Sequence, residues 1–144
     1  MPIRPDSVTA RMEMRLVVTG ATPLAVPADV TYDQTDPYAV RIAFHTGTDD
    51  TVEWTFARQL LTDGVTQAVG DGDVQVWPSQ TAGRRTVCVA LSSPSGRALF
   101  EASLPDVVQF LTRTYALVPT GHESSFVDVD VELAMLFSEG DSSR

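Results

Sequence analysis

The sequence predicts an α+β fold, with an antiparallel sheet of about seven strands and two or three helices. Three observations carry this. Apolar and polar residues alternate over several short stretches, the period of a half-buried strand. Tight, turn-forming links join successive stretches, which makes neighbouring strands antiparallel. Helical spacing of apolar residues appears mainly late in the chain. With 144 residues, 43% of them apolar, the chain fits one domain around its own core.

Residues 8–19 form the first strand. Val8, Ala10, Met12, Met14, Leu16 and Val18 fall on one face, and Arg11, Glu13 and Arg15 on the other. Pro23 and Pro27 bracket a short extended piece with Leu24 and Val26, suited to an edge strand or a covering loop. Residues 32–37, YDQTDP, read as a turn. A hairpin follows, from 38–45 and 51–57. If His45 faces Thr51, then Phe44 meets Val52, Ile42 meets Trp54, and Val40 meets Phe56. A slip of one residue would set these side chains against the polar row of Arg41, Glu53 and Thr55, so the register is well specified. A short helix at 57–64 closes at Gly64. After the GDGD turn at 70–73 comes a strand at 73–77 that stops at Pro78.

Residues 86–92 and 97–103 make a second hairpin through a type I turn, SPSG, with Val89 opposite Phe100 and Val87 opposite Ala102. Ser103 caps a helix whose first turn holds Pro105 and Asp106. Its apolar face is Leu104, Val107, Val108, Leu111 and Tyr115. A second amphipathic helix is expected at 128–137, capped by Asp128. The single domain then spans 1–137, and 138–144 is a disordered tail.

The net charge is −9, and all ten basic residues are arginine. That balance argues against a nucleic-acid ligand and against docking on an anionic membrane. Cys88 is the sole cysteine, so no internal disulfide forms. No apolar leader and no run of membrane-spanning length is present, so a soluble, cytoplasmic protein with no direct membrane insertion is expected.

Few residues suggest chemistry. His45, on a polar strand face, and His122, in a loop, read as surface residues rather than ligands or bases. Asp71 and Asp73 lack the loop length and closing glutamate of a calcium site. Asp128, Asp130 and Glu132 suit the start of a helix. Cys88 has no basic sequence neighbour and reads as a small, partly buried residue. No cofactor, metal or catalytic residue is expected. Trp77 stands apart. Alternation puts it with Gln75 and Asp73, opposite Val74 and Val76. An aromatic residue on the polar face invites a protein partner, so Trp77, Gln75 and Asp73 are candidate binding residues. The competing reading is a kink at Pro78 that tucks Trp77 into the core.

Several segments resemble, in order, the SsgA-like sporulation and cell-division proteins of actinomycetes. They are RLVV at 15–18, TDPYAVRIAFHTG at 35–47, TVEWTFARQLL at 51–61, GDVQVWPS at 72–79, VALSSPSGRALFEAS at 89–103 and FVDVDVELAMLF at 126–137. Within the family the chain looks most similar to the SsgB type. The resemblance implies a whirly-type fold, in which antiparallel strands form a barrel-like core with helices. It also implies a homo-oligomer, a trimer, and a non-catalytic role at the division septum that recruits FtsZ together with an SsgA-type partner. The alternative is a single-stranded nucleic-acid-binding module of whirly-like fold. The absence of lysine and the acidic charge speak against that alternative.

Overall fold

The computed structural model describes residues 6–47, 51–70 and 72–125. Strand β1 (Ser7–Leu16) buries Val8, Met12 and Met14 and turns Arg11 and Glu13 outwards. Its alternation ends at Leu16, so Val18 is exposed. Strand β2 (Leu24–Asp33) is neither an edge strand nor a loop. It lies between β1 and β3 (Ala39–His45) and buries Val26, Ala28, Val30 and Tyr32. Pro27 pairs with Glu13 on one side, and the ladder to β3 starts only at Ala28↔Phe44. The proline therefore sits where its strand has a single neighbour, and a missing N–H does least harm there. The turn before β3 is held by Asp33 Oδ1, which accepts the Thr35 N–H at 2.9 Å.

Strand β3 pairs with β4 (Thr51–Ala57) in the register set by the apolar rows, with Val40 on Phe56, Ile42 on Trp54, Phe44 on Val52 and His45 on Thr51. Burial is uneven, because β4 is an edge. Phe44 is fully buried and its partner Val52 is 45% exposed. Helix α1 (Arg58–Gly64) follows at once. Gly64 does not end it through a left-handed turn. It is the last helical residue, and a Cβ there would come within 2.6 Å of Val76 Cβ. Close packing against the next strand selects glycine.

That strand, β5 (Val74–Thr81), runs through Pro78 instead of stopping. Val76 exchanges both backbone hydrogen bonds with Val69, at 2.9 and 3.0 Å, on the outer side of β5. Two residues on, Pro78 faces the same way, towards the edge, where no ladder N–H is needed. Thr81 pairs with Arg84, leaving Ala82 and Gly83 as a two-residue link with φ of +53° and +78°. These are the signs of a type I′ turn, which suits asparagine better than alanine at its first position. Ala82→Asn is expected to raise stability by about 0.5–1 kcal/mol. A urea midpoint that moves down instead would contradict this turn geometry.

Strands β6 (Arg84–Ser93) and β7 (Gly96–Ser103) pair as anticipated, Val89 on Phe100 and Val87 on Ala102. Helix α2 (Leu104–Leu117) starts after Ser103, although the Ser103 side chain makes no capping bond. Its buried stripe is Val107, Phe110, Leu111 and Thr114. Val108, assigned inwards from spacing, is 42% exposed, while Phe110 is 1% exposed. The helix is thus rotated from the expected face, since apolar side chains at both positions left two stripes open. The helix expected at 128–137 and the tail at 138–144 lie outside the described residues.

The strand order is β4-β3-β2-β1-β7-β6-β5, antiparallel throughout. The sheet is open, with β4 and β5 as its ends, so the barrel-like expectation holds only loosely. It is strongly curled nonetheless. Phe44 on β3 and Phe100 on β7 stack with centroids 4.0 Å apart, whereas three strand spacings in a flat sheet would set them about 14 Å apart. Helices α1 and α2 contribute to the same core: Leu61, Val107, Phe110 and Leu111 join the cluster that holds these rings.

Arg58 pins the helices together. Its guanidinium donates to the carbonyls of Thr114 and Val118 at 3.1 and 2.9 Å and to Glu123 Oε2 at 2.7 Å. It also lies over the rings of Tyr32 and Tyr115, at 4.7 and 3.8 Å from their centroids.

Candidate protein-binding surface

Trp77 lies on β5 opposite Cys88, and the register continues without a break through Pro78↔Val87 and Ser79↔Thr86. There is no kink to tuck the ring inwards. Val76 fills the core side, and Trp77 lies half-buried on the outer face. The core reading of Trp77 is therefore corrected.

Register brings apolar neighbours to that face. Gln75 pairs with Ala90, and Ala90 pairs with Leu99 on β7. Val17 leaves β1 beside them, its N–H donating to Leu99 O at 2.8 Å. Together with Trp77 these residues line a groove of about 690 Å³. Gln75 shares the groove. Asp73 does not: it is exposed in the bend before β5, where its carbonyl accepts the Ser92 N–H at 2.8 Å. Leu99 and Val17 escaped the sequence reading. Leu99 carried a signal, because the Val89–Phe100 register puts it on the face opposite Phe100, where polar residues are expected. Val17 carried none, since its position depends on where β1 ends.

Next to Trp77 a polar network stiffens the sheet. Glu101 Oε1 accepts Arg15 Nη2 at 3.1 Å, and Glu101 Oε2 accepts the Thr81 hydroxyl at 2.8 Å. Burial, then the Glu101 charge, push the Cys88 thiol up from its ordinary value. Such a thiol stays protonated and is a poor nucleophile. His45 Nε2 lies 2.8 Å from Asp29 Oδ2, and Asp29 Oδ1 also accepts Arg11 Nε at 2.7 Å. The hydrogen bond from Arg11, then that with His45, hold the Asp29 carboxyl below its usual range. This is an ion-pair cluster on the sheet surface. His122 lies in the turn after α2, its N–H bonded to Pro119 O. Asp71, Asp128, Asp130 and Glu132 lie outside the described residues. Among the described residues no group of three or more His, Cys, Asp or Glu is placed to hold a metal, and no helix is long and apolar enough to cross a membrane.

Residues 26–123 match the family described as Streptomyces sporulation and cell division protein, SsgA. A sporulation-specific cell division protein SsgB from Frankia casuarinae is 57% identical over 140 residues, covering 97% of this chain and 98% of the relative. The SsgB of Streptomyces coelicolor is 49% identical over 133 residues, covering 92% and 97%. The crystal structure of an SsgA-like sporulation-specific cell division protein from Thermobifida fusca superimposes with a TM-score of 0.84 at 46% identity, over 93% of this chain and 98% of that one.

Proposed function

The chain belongs to the SsgA family of sporulation and cell division proteins, and from that premise we propose that it is a non-catalytic protein that helps position the septum during sporulation. It recruits FtsZ together with an SsgA-type partner, and it works in the cytoplasm, at the septum, as a homotrimer. Cell division is the role its relatives are named for.

One observation carries the scaffold reading. Trp77 sits half-exposed on the outer strand face, in a groove with Leu99 and Val17, and is not part of the core. Aromatic residues held this way are frequent centres of protein interfaces. The net charge of −9 supports a protein partner over a nucleic-acid strand.

Co-sedimentation with polymerised FtsZ tests the reading. The wild type is expected to pellet with the polymer. Trp77→Ala is expected to weaken assembly or FtsZ binding by roughly 30-fold, the equivalent of about 2 kcal/mol at an interface hot spot. Its unfolding midpoint should move far less than that of a core aromatic truncation. Unchanged mass and unchanged pelleting in a folded Trp77→Ala variant would defeat the assignment of this groove.

A further inference from the structure

The two halves of the sheet meet at a narrow junction. The β1–β7 ladder contains only Arg15↔Glu101 and Leu16↔Phe100. Beyond Arg15 the strands part, and β7 runs through Ala102 and Ser103 into α2. The cleft between them holds about 600 Å³, with Met14, Ala102 and Pro105 in its lining and Arg84 and Arg85 brought in from the start of β6.

Backbone groups face this cleft. On β1, Val17 donates to Leu99 O and Thr9 O accepts from Arg113 of α2, so alternate residues from Thr9 to Val17 turn their N–H and C=O to this side. Glu13 is one of them, and among the described residues no β7 residue pairs with it. It presents a short open strand edge.

The cleft carries exposed positive charge in an acidic chain. Arg11, Arg15 and Arg58 each have a carboxylate partner, while Arg84 and Arg85 are exposed with none among the described residues. Three arginines (Arg15, Arg84, Arg85) and two glutamates (Glu13, Glu101) line the cleft, one net positive charge in a protein of net −9. Thr86 Oγ1, also in the lining, is buried without a hydrogen-bond partner. The Cys88 thiol, a weak hydrogen-bonding group, lies beside it.

We propose that this cleft binds an extended acidic segment of a partner protein. The segment adds to the Glu13 edge of β1 by main-chain hydrogen bonds. Its carboxylates meet the guanidiniums of Arg84 and Arg85, for which the planar fork is well suited. Apolar side chains alternate towards the exposed Ala25 and Pro105 of the lining. A nucleic-acid strand would set phosphates against Glu13 and offers no peptide groups to continue the ladder. The cleft shares no lining residue with the Trp77 groove, so the proposal does not rest on the septum reading.

The probe is a fluorescein-labelled peptide of about eight alternating valine and glutamate residues, the length of an ordinary strand. Anisotropy with the full chain at low salt should show saturable binding that weakens as salt is added. The double variant Arg84→Glu, Arg85→Glu should bind at least about 10-fold more weakly, as should a valine–glutamine peptide with the wild type. Both arginines are exposed, so the variant's unfolding midpoint should match the wild type's and show that the fold is intact. Equal peptide binding by the wild type and the variant overturns the proposal. Tighter binding of an oligothymidylate than of the peptide also overturns it. So does a change in oligomer mass on charge reversal, since a second copy of the chain would then occupy the cleft. FtsZ pelleting is scored on Trp77→Ala separately, so failure of one reading leaves the other intact.

Discussion

Arg58→Met is expected to lower the unfolding free energy by about 3–5 kcal/mol, the usual cost of removing one partner from a buried charged network. Arg58 is 1% exposed and follows the edge strand β4 directly. Its loss leaves the Val118 carbonyl without the Arg58 donor and Glu123 without its cation, while the Thr114 carbonyl keeps only the Val118 N–H. Methionine fills much of the volume, so the loss reports the hydrogen bonds and the cation–π contacts rather than a cavity. Arg58→Lys should recover no more than roughly half of the loss, because a point charge cannot reach both carbonyls, the carboxylate and the Tyr115 ring at once. Urea unfolding of the three proteins decides it, and a methionine variant within about 1 kcal/mol of the wild type would refute the pin.

The same network carries a pH dependence. Burial alone would raise the Glu123 pKa. Backbone hydrogen bonds, including the Gly121 N–H at 3.0 Å, and the Arg58 pair outweigh it and bring the group below its ordinary 4.5. A carboxyl with a depressed folded-state pKa stabilises fully above its unfolded value and loses that contribution as pH falls through the folded one. Wild-type stability should therefore fall below about pH 4.5, and Glu123→Gln should flatten that part of the profile.

Phe44→Ala is expected to cost about 3–5 kcal/mol, the range for truncating a fully buried aromatic. The ring is 1% exposed and stacks on Phe100 from across the curl, with an interplanar angle of 17°. The substitution removes core volume and also a contact between the two halves of the sheet, whose direct ladder has only two pairs. Combining Phe44→Leu with Phe100→Leu in a double-mutant cycle should show a coupling of about 0.5–1.5 kcal/mol, the share owed to the ring pair itself. Additive losses would mean that the curl is held by the surrounding aliphatic core instead.

Local pattern by itself determined a good deal of this protein. Alternation and turn chemistry specified β1, the β3–β4 hairpin with its register, and the β6–β7 pairing, because each depends on residues close in sequence. The same alternation put Trp77 and Gln75 on one outer face, and family-specific segments carried the kinship with division proteins. Proline misled the reading twice. A proline breaks a strand only where its N–H is needed, and that depends on which neighbour lies beside Pro27 and Pro78, not on the residues around them. Helix α2 was found in place but rotated, since Val108 and Phe110 are both apolar and only the curved sheet decides which one it covers. Arg58 reads in sequence as an ordinary first-turn arginine. Its burial between two tyrosines, and the cleft where β1 and β7 part, arise from contacts between residues far apart in the chain, which only the tertiary structure brings together.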